Sequence, residues 1–77
     1  MPNFGPMYTG CWIDDGWIWG GEFSGKFWIE NGFIFGPRNS GKFWIENGFI
    51  YGPIDSGRYW IDSGYIYGPA KQVPWAK

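Results

Sequence analysis

Few residues in this chain are equipped for chemistry, and their spacing points away from catalysis. None of the 77 residues is a histidine, so neither a Ser-His-Asp nor a Cys-His arrangement can be assembled. Cys11 is the one thiol. It stands where related segments of the chain carry Phe or Tyr, and so reads as a small buried group rather than a nucleophile. Asp14-Asp15 is the only adjacent acidic pair, and neighbouring residues of a strand point to opposite faces. Asp14, Glu30, Glu46 and Asp62 recur at one position of a repeat. Such a row falls short of the six to eight oxygens that Ca²⁺ takes, and zinc sites need more His and Cys; the row is expected to solubilise an edge. The glycines match no phosphate-loop spacing. The expectation is a protein that is not an enzyme, with no metal site and no cofactor.

What remains is aromatic surface. Phe, Trp and Tyr make up 25% of the chain against 17% charged residues. Flat rings offer stacking and cation–π attraction instead of bond-making chemistry.

The elements that hold these rings follow from a period of 16 residues. Residues 24–39 read SGKFWIENGFIFGPRN, 40–55 SGKFWIENGFIYGPID and 56–71 SGRYWIDSGYIYGPAK, while 8–23 read YTGCWIDDGWIWGGEF. The lead-in 1–7 and the tail 72–77 lie outside the period, and Phe4 and Trp75 within them are expected to cover the ends of the array. Asp15-Gly16, Asn31-Gly32, Asn47-Gly48 and Ser63-Gly64 sit between apolar runs. A two-residue hairpin turn needs positive φ at both central positions, which these pairs tolerate. Flanking strands of about five residues, such as 26–30 and 33–37, carry the β-branched and aromatic residues that strands prefer. The Gly-Pro-x-x-Ser-Gly connection, as at 36–41, ends a strand because its proline has no N–H for a ladder.

The predicted fold is all-β: a single repeat domain of four tandem antiparallel hairpins, eight short strands in an up-and-down meander or a hairpin superhelix. A parallel β-solenoid with one coil per repeat is the alternative, less compatible with Asn-Gly turns that pair strands within a repeat. Whether the strands close into a barrel, spiral or stay open is left undecided at this level.

Two-residue turns fix the register. Ile13, Ile18, Ile29, Ile34, Ile45, Ile50, Ile61 and Ile66 then share one face with Cys11, Phe27, Phe43 and Tyr59, and that face reads as core. The opposite face carries Trp12, Trp17, Trp19, Trp28, Phe33, Phe35, Trp44, Phe49, Tyr51, Trp60, Tyr65 and Tyr67, with charges only at strand ends. An antiparallel sheet with one wet side alternates apolar with polar. Here both faces are apolar, so something must cover the second.

The unit Gly41-Lys42-Phe43-Trp44-Ile45-Glu46-Asn47-Gly48-Phe49-Ile50-Tyr51-Gly52 resembles the choline-binding and glucan-binding repeats of bacterial surface proteins. The likeness covers residues 8–71: a glycine, two aromatics, a turn glycine and an apolar strand. It departs from those repeats in its shorter period and in having Trp-Ile in place of an aromatic pair. The resemblance implies a left-handed superhelix of hairpins with ligand sites between successive units. It implies aromatic cages at Trp28, Trp44 and Trp60, with Phe35, Tyr51 and Tyr67 beside them, for a glycan or choline-like ligand.

Partners are narrowed further by charge. The net charge is −1, with six Lys/Arg offset by seven Asp/Glu, which removes the main source of nucleic-acid affinity. No signal peptide and no apolar run of transmembrane length is visible, so no membrane insertion is expected and a cytoplasmic location is the default. A linear meander would leave edge strands near residues 10–14 and 65–69 open to pairing. The leading expectation is a self-associating structural or assembly module, a homo-oligomer. Its rivals are a ligand-binding repeat module and a protein-interaction adaptor. The candidate binding residues are Trp12, Trp19, Trp28, Phe35, Trp44, Tyr51, Trp60 and Tyr67.

Overall fold

A computed structural model describes residues 7–77. The strands are β1 (Met7–Asp14), β2 (Trp17–Trp19), β3 (Phe27–Glu30), β4 (Phe33–Phe35), β5 (Phe43–Glu46), β6 (Phe49–Tyr51), β7 (Tyr59–Asp62) and β8 (Tyr65–Gly68), followed by a 3-10 turn, Pro74–Ala76. Phe4, expected to cover an end, lies outside the described residues.

The turns set the hairpins as their sequences require. Asp15, Asn31, Asn47 and Ser63 have φ of 53–55°, and the glycine after each has φ of 82–85°. Trp28 opposes Phe35, Ile29 opposes Ile34 and Glu30 opposes Phe33 in the second hairpin, and the third repeats this register. Between hairpins, Phe33 opposes Trp44 and Ile34 opposes Phe43. The strands are shorter than expected, three or four residues except in β1. The first three return strands end at the Gly-Pro step or its Gly-Gly counterpart, where the chain turns to let a serine hydroxyl accept a bond: Gly20 N–H donates to Ser24 Oγ at 2.8 Å, and Gly36 and Gly52 to Ser40 and Ser56 at 3.1 Å.

The strands form a closed barrel, each paired with its sequence neighbours and β8 with β1. This corrects the expectation of open edges near residues 10–14 and 65–69, because those two segments pair with one another. Nor is it the superhelix that the choline-binding resemblance implies. The seam repeats the bonds made elsewhere between hairpins. Ile29, Ile45 and Ile61 each donate N–H to a turn glycine of the preceding hairpin at 2.7 Å, and Ile13 donates to Gly64 at 2.8 Å. Gly25, Gly41 and Gly57 donate N–H to Ile18, Ile34 and Ile50. At the seam the aligned residue is Thr9, whose Oγ1 donates to Ile66 O at 2.7 Å. The same oxygen accepts the Cys11 N–H at 3.2 Å. A register shift between Tyr8 and Cys11 turns this hydroxyl inward.

Closure settles which face is inside. Ile18, Ile34, Ile50 and Ile66 alternate around the interior with Phe27, Phe43, Tyr59 and Cys11, and all eight are buried. Ile13, Ile29, Ile45 and Ile61 pack against this core but are only partly buried. They lie at the hairpin-turn end, whereas the other end is plugged. There the tail brings Trp75, 1% exposed, edge-on to Phe43 and Tyr59 with ring centroids 6.4 Å apart. The expectation that Trp75 covers an end holds. Polar contacts fasten the plug: Asn39 Nδ2 donates to Trp75 O at 2.9 Å, Arg38 Nη1 to Ala76 O at 3.0 Å, and Tyr59 Oη to Gln72 O at 2.8 Å.

Candidate binding surface

With isoleucine turned inward, alternation puts the aromatic set on the outside of the barrel. Trp12, Trp19 and Trp44 are exposed, while Trp28, Phe35, Tyr51, Trp60 and Tyr67 are half-buried. Phe33, Phe49 and Tyr65, nearer the hairpin turns, are the most open rings, at 42–47% exposure.

The barrel wall groups these rings. Trp28 and Phe35 are near-parallel, with centroids 6.0 Å apart and planes 24° off. Trp44 with Tyr51 and Trp60 with Tyr67 repeat this geometry at 6.0 and 6.1 Å. Two of these tryptophans also meet a ring of the preceding hairpin: Trp17 lies 5.5 Å from Trp28, and Phe33 lies 6.5 Å from Trp44. Phe35 and Tyr51 lean over the loop glycines Gly41 and Gly57, where a Cβ would lie 3.3 Å from the ring. The bare glycine thus lets the ring lie down against the wall.

The first hairpin departs from this. Trp12 and Trp19 are opposite in register, but Trp19 turns its indole N–H to Asp14 O at 3.2 Å and rests over Gly25. Six of the eight candidate residues therefore form three alike pairs, and the remaining two do not stack in that way.

Charge brackets the band. Asp14, Glu30, Glu46 and Asp62 are exposed at the hairpin-turn ends of their strands, while Lys26, Lys42 and Arg58 are exposed at the loop ends. Among the described residues no three His, Cys, Asp or Glu side chains converge to hold a metal ion. Cys11 is buried, and burial pushes its thiol pKa up, against a smaller lowering by the Thr9 contact. The neutral thiol is the favoured form, a poor state for a nucleophile.

Sequence reasoning missed two residues of the surface and its support. Tyr8 joins the band, its ring 5.6 Å from Tyr65 and 5.7 Å from Tyr67. It falls at a repeat position held elsewhere by serine, so periodicity gave no signal. Thr9 was detectable, since it replaces a glycine present in the other three copies.

Comparison with protein-family models, with curated proteins and with solved structures returned no match.

Proposed function

We propose that this chain is a non-catalytic association module whose outer aromatic band packs against a second copy of itself. One observation carries this reading. One chain buries its own isoleucine and ring core, yet Trp12, Trp17, Trp44, Phe33, Phe49 and Tyr65 remain 37–47% exposed on the outside. Clusters of large exposed apolar side chains rimmed by polar residues commonly mark interaction sites. Because β8 pairs with β1, edge-to-edge strand addition is closed off, and association proceeds through faces. Interfaces favour Trp, Tyr and Phe at their centres with charge at the rim, the order found here from band to strand ends. Insertion as a membrane barrel fits poorly, since every strand but β1 has three or four residues, less than half the roughly 9–11 that a spanning strand needs.

Sedimentation velocity across the micromolar range tests the proposal. Wild type is expected to form dimers or larger species, and Trp44→Arg with Phe49→Arg to weaken association at least tenfold, as loss of central aromatic anchors does. A monomer at every concentration overturns it.

A second reading rests on the three near-parallel pairs, Trp28–Phe35, Trp44–Tyr51 and Trp60–Tyr67. Repeated flat aromatic panels suit the apolar face of a sugar better than a choline headgroup, which needs rings set apart around the cation. Quenching of tryptophan fluorescence by glucan oligosaccharides, but not by choline, supports this reading; a flat titration ends it.

A further inference from the structure

The barrel repeats one packing device and leaves it incomplete once. In three repeats an interior ring, Phe27, Phe43 or Tyr59, lies against the bare Cα of Gly36, Gly52 or Gly68. In the first repeat the ring position holds Cys11, although glycines still follow β2 at 20 and 21. A cavity of about 350 Å³ opens there. Its floor is buried and largely apolar, formed by Cys11, Ile18, Phe27 and Trp75. Its exposed rim carries Glu22, Arg38 and Lys71. The volume falls in the range of small-molecule sites, roughly 300–1,000 Å³, and the mixture of apolar floor and few polar groups is typical of them.

The lining says what would fit. The neighbouring repeats fill the equivalent space with a phenyl or phenol ring, so the complement of the floor is a single aromatic ring. The rim holds two cationic side chains, Arg38 and Lys71, and one carboxylate, Glu22. Arg38 is already held in place: it donates to Ala76 O at 3.0 Å, and its guanidinium carbon lies 5.0 Å from the Phe23 ring centre. Its other N–H groups form part of a planar fork suited to a carboxylate.

We propose that this cavity binds a small aromatic carboxylate, its ring supplying the ring that Cys11 lacks and its carboxylate meeting Arg38 and Lys71. The site is separate from the outer band, and either can fail without the other.

Titration of ¹⁵N-labelled protein with phenylacetate, benzyl alcohol and benzylamine tests it by NMR. Phenylacetate is expected to shift the Gly20 and Gly21 amides and the Trp75 indole N–H saturably, with Kd on the order of 1 mM for a fragment of this size. Benzylamine should bind at least tenfold more weakly. Lys71→Gln should narrow the preference of phenylacetate over benzyl alcohol. Cys11→Phe, which restores the repeat residue, should abolish the shifts while keeping the amide dispersion of the fold. Should that variant not fold, Cys11→Leu is read in its place. The proposal is overturned by unsaturable shifts, by shifts confined to Trp44 and Trp60, by equal binding of benzylamine, or by a filled variant that binds as wild type does.

Discussion

Tyr59 shows how one atom ties the barrel to its plug. It occupies the interior ring position of the fourth repeat, where the second and third carry Phe27 and Phe43. Its ring packs edge-on to Trp75, and its hydroxyl donates to Gln72 O at 2.8 Å. Burial, with a smaller contribution from Asp55, raises its pKa above the ordinary tyrosine value. The protonated form is therefore favoured more in the folded than in the unfolded chain. Its contribution is fully present below the unfolded value of about 10 and is lost as pH climbs through the raised one. Denaturant midpoints measured from pH 8 to 11.5 should fall at the alkaline end, and Tyr59→Phe should fall less steeply there. Near neutrality that variant should lose about 1 kcal/mol, the usual net worth of one hydrogen bond. Equal alkaline slopes in the two proteins would remove Tyr59 from this account.

At the scale of elements, the hairpins were legible and their closure was not. Asn31-Gly32 and its counterparts dictate two-residue turns, the turns dictate register, and register assigns Ile34 to one face and Phe33 to the other; the structure has each of these. The closing strand pair leaves no such mark, because its partners lie at opposite ends of the repeat array and no turn joins them. The one clue is Thr9 standing in for a glycine. Its hydroxyl makes the bond to Ile66 O that a backbone N–H makes in the other three repeats. Thr9→Val keeps the shape and deletes the hydroxyl, leaving Ile66 O and the Cys11 N–H without that partner. The cost of a buried unsatisfied group, about 1–3 kcal/mol, is the expected loss in urea unfolding, with hydrogen exchange accelerated first in β1 and β8. Thr9→Ser should retain most of the stability. A Val variant as stable as wild type would mean that the seam is held by ring and isoleucine packing alone. The candidate surface divides similarly. The pairs at Trp28, Trp44 and Trp60 were readable from register, whereas Tyr8 reaches the band only because the barrel closes.

For the whole molecule, the decisive question is how a 77-residue chain with strands this short is stable. Domains of this size bury a small share of their surface, and the net stability expected is about 0.05–0.15 kcal/mol per residue. The barrel wall alone is incomplete: its hairpin-turn end leaves Ile13, Ile29, Ile45 and Ile61 only partly covered. The loop end is finished by residues outside the repeat. Trp75 is among the largest fully buried side chains, and the carbonyls on and beside it are held by Asn39 and Arg38 from the loop after β4. The exposed Lys77–Asp55 ion pair at 3.2 Å adds little, as exposed pairs do. Trp75→Ala should therefore cost about 3–5 kcal/mol, the range for deleting a buried aromatic. That is a large part of the total, so thermal unfolding should drop by tens of degrees or disappear into an unfolded baseline. Trp75→Phe, which keeps a ring between Phe43 and Tyr59, should recover much of the loss. Lys77→Ala serves as the control and should change little. If Trp75→Ala melts with the wild type, the four hairpins close a self-sufficient core and the tail is an ornament on it. If it unfolds as expected, the repeat array depends on a non-repeating plug supplied by its own chain, and the hairpins alone do not make a stable core.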